Sequence, residues 1–392
     1  MTDVFIVSAA RTAVGTFNGS LKSLSPTQLG VAVAREAMTR AGVDAADVDH
    51  AVFGNVIPND AEDLYLARTI GLGAGMAASS QGLTLNRLCG SGAQSIISAT
   101  QMIMLGDSRV ALAGGAESMN RAPYAVEGLR EGRKMGDGKI YDWLSHTLSD
   151  PFGHGHMGCT AENIAEKYQI SRERQDEYAV ESQSRALKAI EAGYFKEQIV
   201  GIELKTRKGT ATFDTDEHPR ASTMDDLAKL KPAFRDGGTV TAGNASGIND
   251  GAAAVILAHK DEVKNRNLTP MARIVSWGIA GVPPELMGLG PIEAVPIALK
   301  RAGLTLDDID VIESNEAFAA QAIAVADGLG FDPAKVNPNG GAIALGHPLG
   351  ATGSVLTVKT LYELARTNKR YGLVTMCIGG GQGIALVVER LG

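Results

Sequence analysis

The chain has 392 residues, 44% hydrophobic and 21% charged, with a formal net charge of −7. The acidic balance and an aromatic content of only 5% exclude non-specific nucleic-acid binding and a base-stacking surface. No apolar run reaches the roughly 18 residues needed to span a bilayer, so no membrane association is expected. Three cysteines, Cys89, Cys159 and Cys377, with no CxxC spacing, argue against a disulfide framework or zinc ribbon and for a reducing, cytoplasmic compartment.

In chain order, the opening apolar run 4–9 has no basic stretch before it and reads as a first strand rather than a signal peptide. Residues 27–40 have helical spacing, with Gly42 placed to cap the helix. Residues 48–56 read as a strand after an Asp-rich turn. Then Asn86-Arg87-Leu88-Cys89-Gly90-Ser91-Gly92 sets one cysteine between an apolar run and a small-residue turn, and the apolar-periodic stretch 93–105 follows as a helix. Cys89 would stand at the entrance of that helix. There the unpaired N–H groups and the positive dipole end lower a thiol's pKa, although burial as a small hydrophobe is the commoner use of a free cysteine. Residues 110–112 are the next strand, and the alternation implies a largely parallel sheet with helices on its faces.

An insert runs from about Ser118 to Asn249. It holds a Gly- and charge-rich stretch at 128–149 and a helix at 171–192, with Ser171 as N-cap and Gly193 at the C-terminal end. A basic run at 205–208 follows, with Arg220, Lys229 and Lys231 beyond it, and residues 241–251 lead back into an apolar strand at 252–257. The pattern of the first half then returns. Ala37 to Gly42 recur as Ala298 to Gly303, Asp49 as Asp310 and Gly92 as Gly353, each displaced by 261 positions, and Ile6-Val7-Ser8 recur as Ile274-Val275-Ser276, displaced by 268. Two copies of one βαβ-type unit joined by an insert explain this, giving segments 1–117 with 250–270, 118–249, and 271–392.

The second copy carries three polar islands at strand ends: Asn315-Glu316-Ala317-Phe318 after a strand at 311–313, a Gly-rich stretch at 339–348 ending in His347-Pro348, and Cys377 to Gly383 after a strand at 372–376. Strand ends of both copies converging across a pseudo-twofold would bring Cys89 to the same crevice. Each island also has a plainer use: a satisfied loop histidine held extended by Pro348, a buried cysteine, a glycine turn. The glycines at 379–383 could equally present N–H groups to a developing oxyanion. No P-loop or GxSxG elbow is present, and Gly71 to Gly75 make a poor dinucleotide fingerprint. His154, His156 and Cys159 lack a fourth metal ligand at sensible spacing, so no metal is expected.

Segments 86–92, 156–163, 243–251, 315–318, 346–348 and 377–383 together resemble the thiolase family, in order and over the whole chain. The likeness is nearest to the short-chain bacterial type, which includes β-ketothiolases feeding polyhydroxyalkanoate synthesis. It implies an α/β thiolase fold, two repeated mixed-sheet halves packed as αβαβα layers with an inserted loop domain. The implied activity is acetyl-CoA C-acetyltransferase: two acyl-CoA condense to 3-ketoacyl-CoA plus CoA, or the reverse thiolysis runs, by a ping-pong course through an acyl thioester. CoA and acyl-CoA would be substrates, with no tightly bound cofactor. A broader-range degradative 3-ketoacyl-CoA thiolase is the alternative, and a non-catalytic acyl-CoA-binding protein a more distant one. Decarboxylating condensing enzymes of similar fold carry histidine where Cys377 stands.

The resemblance also implies roles. Cys89 would carry the acyl group. His347 would take its proton and help hold an enolate-like oxyanion, together with a water on Asn315. Cys377 would move the α-proton. The N–H groups of Cys89 and Gly379 would form a second oxyanion hole. Ser246 and His156 would lie along the pantetheine arm, Arg220 and Lys208 near the nucleotide, and Met157, Met287 and Phe318 around the acyl group. Segment 118–149 would pair dimers into a homotetramer. Cys159 stands where many relatives have another small residue, and a structural role is expected for it.

Overall fold

The computed structural model describes residues 2–206 and 209–391. The first repeat contributes β1 (Val4–Thr12), α1 (Pro26–Ala41), β2 (His50–Gly54), α2 (Leu66–Gly73), β3 (Gln81–Leu85), α3 (Ser91–Leu105) and β4 (Val110–Ser118). The insert carries α4 (Met157–Lys167) and α5 (Arg172–Glu191). Strand β5 (Asn249–His259) then returns to the first half, and the second repeat supplies β6 (Ala272–Gly281), α6 (Gly290–Ala302), β7 (Val311–Ser314), α7 (Ala319–Leu329), α8 (Thr352–Thr367), β8 (Tyr371–Ile378) and β9 (Gln382–Arg390).

Local chemistry sets the helix ends. Ser25 and Gln28 close a capping box ahead of Pro26, and Gly42 ends α1 in the left-handed region at φ 64°. Gly303 ends α6 in the same way at φ 68°, as the repeat requires. Other details recur too. Ser8 Oγ donates to Ala37 O at 2.6 Å, and Ser276 Oγ to Ala298 O at 2.7 Å. Asp49 accepts from Arg109 N at 2.8 Å, and Asp310 from Arg370 N at 2.9 Å. A bulge interrupts each repeat's first strand just before that serine.

The strand order is β7-β8-β9-β6-β1-β5-β4-β2-β3, but β1 and β6 meet over only two residue pairs. The ladder folds over at this join, and its inner faces enclose α3 and α8 in one shared core. On β5, Ala253, Val255 and Leu257 face that core, while Ala252, Ala254 and Ile256 face α1 and α2. On β9, Ile384, Leu386 and Val388 face inward and Ala385 and Val387 face α6. The result is an αβαβα stack.

The sheet is mixed, not largely parallel. Among the nine strands named, the β2–β3, β2–β4 and β7–β8 pairings are parallel, and the short strand Ile199–Val200 also joins β1 in parallel; the β1–β5, β5–β4, β6–β9 and β9–β8 pairings are antiparallel. For β8 and β9 the reason is plain: three glycines join them, and so short a link permits only an antiparallel return.

The insert is tied down by a buried bidentate pair from Arg11 on β1 to Asp216, at 2.7 and 2.9 Å, and Arg11 Nε also reaches Gln198 at 2.7 Å. Among the described residues no helix is long and apolar enough to cross a membrane.

The two central helices cross at glycines. A Cβ on Gly92 would lie 2.6 Å from Ser354 N, and one on Gly353 2.2 Å from Ala93 N. Neither backbone can retreat without opening the shared core. Gly353→Ala is therefore expected to cost about 3 kcal/mol, read from denaturant unfolding; an unchanged midpoint would contradict so close a crossing.

Candidate active site

The turn that presents Cys89 is held in an uncommon shape. Leu88 sits at φ 46°, which a branched side chain rarely adopts. Asn86 Oδ1 accepts from Leu88 N at 2.8 Å and Ser91 Oγ from Arg87 N at 2.9 Å, so side chains on both flanks lock the strained residue in place. Behind the turn, a Cβ on Gly90 would lie 2.6 Å from Ile378, so strand β8 passes close by. Cys377 lies within β8, paired with Gly383, rather than beyond the strand's end.

The second repeat's loop is fixed as firmly. Asn249 Oδ1 accepts from His347 N at 2.9 Å, and a side chain on Gly346 (φ 104°) would strike Asn249 at 2.5 Å. Glu117, fully buried at the end of β4, accepts from Val56 N, Ile57 N and Gly350 N at 3.0, 3.0 and 2.7 Å, and from Asn55 Nδ2 at 2.9 Å. One carboxylate thus binds the loop after β2 to the loop that carries His347.

A cavity of about 340 Å³ opens between these parts. Cys89, His347, Cys377 and Gly379 line it together with His156, Met157, Ser246, Met287 and Phe318. Asn315 is not on the lining but stands behind it, its Nδ2 3.4 Å from His347 Nε2. His347 Nδ1 is 2.6 Å from Thr352 Oγ1. His156 caps α4, its Nδ1 accepting from Gly158 N at 3.0 Å, and its ring stacks on Phe234 at 4.7 Å. Arg220 is exposed and off the lining; its guanidinium reaches Ala242 O, at the cavity's edge, at 3.4 Å. Lys208 lies outside the described residues. Cys159 Sγ donates to Phe234 O at 3.5 Å, a packing contact.

Leu88, Met119, Leu148, Phe234 and Leu349 complete the apolar wall without having been singled out in the sequence. Leu88 and Leu349 had a signal there, since they occupy matching positions in the two repeats. Phe234, in an irregular stretch of the insert, had none.

The electrostatics depart from expectation at the nucleophile. Helix-entrance N–H groups were expected to lower the Cys89 pKa. Burial instead pushes it up to about 11; N–H bonds from Gly379 and from Cys89's own backbone pull the other way, and the Glu117 charge adds to the rise. Burial, with Cys89 beside it, drives Cys377 far above the usual thiol range. Burial takes His347 down to about 4, and Glu117 up to about 8. At neutral pH the site therefore holds two neutral thiols and a neutral imidazole. Two backbone N–H groups already point at the Cys89 sulfur.

Only thiolate is alkylated, and its fraction rises tenfold per pH unit below the pKa. Iodoacetamide labelling of Cys89 in the resting protein should accordingly climb about tenfold per unit from roughly pH 7 to pH 9, followed by peptide mass spectrometry. A rate that levels off near neutrality would show that the N–H groups outweigh burial.

The family model described as "Thiolase, N-terminal domain" matches residues 4–261, and "Thiolase, C-terminal domain" matches residues 268–390. Among curated relatives, "Beta-ketothiolase BktB" of Cupriavidus necator is 58% identical over 391 residues, covering 99% of each chain. "Acetyl-CoA acetyltransferase" of Escherichia coli is 50% identical over 394 residues, covering 100% of each. The crystal structure of human mitochondrial 3-ketoacyl-CoA thiolase in complex with CoA superimposes with a TM-score of 0.97 at 46% identity, over 100% of this chain and 99% of that one.

Proposed function

The chain belongs to the thiolase family, and from that premise we infer that it is an acetyl-CoA C-acetyltransferase, a β-ketothiolase. The observation that carries the assignment is one cavity lined by a thiol from each repeat, an imidazole and the Gly379 backbone. Acyl-CoA is the substrate and CoA the leaving and attacking group.

In the first half-reaction Cys89 Sγ attacks the thioester carbonyl and its proton passes to His347, whose depressed pKa leaves it neutral and free to accept. The carbonyl oxygen gains negative charge and is held by the N–H groups of Cys89 and Gly379. The CoA sulfur leaves with a proton from Cys377, which becomes a thiolate. In the second half-reaction that thiolate removes the α-proton of a second acyl-CoA. Burial suits it to this, because a thiol that ionises with difficulty leaves a strong base once ionised. The enolate-like oxygen rests on His347 and on a water held by Asn315. The carbanion attacks the Cys89 thioester, the new C–C bond forms as the bond from the carbonyl carbon to Cys89 Sγ breaks, and the departing sulfur takes back the proton that His347 received in the first half-reaction. Thiolysis is the same path reversed.

Ser246 and His156 flank the pantetheine arm, and Arg220 meets the nucleotide end. Met157, Met287 and Phe318 surround the acyl group; flexible thioether walls accept tails of several lengths. The loop segment 118–249 serves CoA binding and assembly. Exposed Tyr124, Val126, Leu129, Met135 and Ile140 on it support pairing of dimers into a cytoplasmic homotetramer.

Cys89→Ala should abolish CoA release from acetyl-CoA while acetyl-CoA still binds by calorimetry; full turnover in that variant would exclude the covalent route. A thiolysis series over 3-ketoacyl-CoA lengths should include acetoacetyl-CoA as a good substrate. Turnover of long chains alone would instead favour a degradative 3-ketoacyl-CoA thiolase.

A further inference from the structure

The repeat that relates Gly92 to Gly353 also relates Ser91 to Thr352, Arg87 to Pro348 and Asn86 to His347, each by 261 positions. In the first repeat backbone bonds the Ser91 hydroxyl on both sides: it donates to Leu88 O at 2.7 Å and accepts from Arg87 N at 2.9 Å. In the second repeat the matching donor is missing, because residue 348 is proline and has no N–H. Thr352 Oγ1 donates its only proton to Pro348 O at 2.8 Å. Its acceptor side is left open, and His347 Nδ1 lies there at 2.6 Å. A hydroxyl whose proton is already committed can only accept from that nitrogen. The proton of neutral His347 is thereby on Nδ1, and the lone pair is on Nε2, where Asn315 Nδ2 approaches at 3.4 Å. A neutral histidine side chain in water prefers its proton on Nε2, so the pocket must impose this arrangement.

We propose that Thr352 is a positioning residue for His347: it fixes the tautomer in which Nε2 can take the Cys89 proton, and Pro348, which has no N–H, leaves the imidazole as the N–H donor to that hydroxyl. The histidine's partner is thus a backbone-anchored hydroxyl, not a carboxylate. No charge is added beside the imidazole, which keeps it neutral between turnovers. The proposal rests on His347 acting as the base in acyl transfer.

The test compares Thr352→Val and Thr352→Ser in the full chain. Single-turnover release of CoA from acetyl-CoA reads acylation, and ¹⁵N chemical shifts of labelled histidine read the His347 tautomer. Thr352→Val, which swaps the hydroxyl for a methyl of similar size, should slow acylation about tenfold or more, leave the acetyl-CoA KM nearly unchanged, and move the proton to Nε2. Thr352→Ser should restore both readings. Wild-type acylation in Thr352→Val, or a proton still on Nδ1 there, would overturn the proposal, as would failure of serine to rescue. Should Thr352→Val not fold, Thr352→Ala takes its place, and wild-type acylation or a proton still on Nδ1 in that variant would overturn the proposal equally. His347→Ala retaining full acylation would instead sink the assignment of the base itself, which keeps the two failures apart.

Discussion

The constraint on which the site depends is the crossing of α3 and α8 at Gly92 and Gly353, with a would-be Cβ 2.2 Å from the opposite backbone. Helices that touch at main chain have their starts side by side, and the turns before those starts come from different repeats. Position 89 matches position 350, and 86 matches 347. One copy therefore keeps a cysteine where the other keeps a glycine, and a turn-building asparagine where the other keeps a histidine. A nearly symmetric scaffold delivers an asymmetric set of groups to one cavity. Gly350 cannot itself carry a side chain, since a Cβ there would meet Glu117 at 2.6 Å. The carboxylate that excludes it also holds its N–H.

Burial then decides the chemistry more than the helix dipole does. Desolvation is the first cause of the displaced pKa at Cys89, Cys377, His347 and Glu117 alike. Two backbone N–H groups at the sulfur do not reverse it. In the acyl transfer we propose they would matter later, when charge moves from sulfur to the carbonyl oxygen and a preorganised pair of donors in a dry cavity is worth far more than in water. The resting site avoids charge, and charge appears only where donors stand ready.

Much of this could be read in the residues. The 261-position displacement paired Gly42 with Gly303, Asp49 with Asp310 and Gly92 with Gly353, but gave no sign that the last pair is where two helices cross. Cys89, His347, Cys377 and Gly379 meet in one cavity because each lies at a strand end or helix start, and such places are marked by Gly, Pro and Asn. Strand direction was not legible, because a βαβ rhythm looks alike whether or not one strand returns antiparallel from a distant insert. The sign of the Cys89 pKa was missed for a related reason: the turn is local and readable, while the packing that overrides it comes from clusters containing Ile378 and Leu349, far along the chain. Phe234 and Leu148 were invisible for want of any periodic or turn context. Arg220 stands at the rim, not on the lining, because an arginine in an irregular segment says nothing of its reach.

Division of labour between the two sulfurs is the central claim, and Cys377→Ala tests it most directly through two exchange reactions on one sample. Isotope exchange between CoA and acetyl-CoA reports acyl transfer to Cys89, and loss of the acetyl methyl protons in D₂O, followed by ¹H NMR, reports α-proton removal. The variant is expected to lose methyl exchange while still forming the Cys89 acyl thioester. Methyl exchange at the wild-type rate without Cys377 would contradict the account.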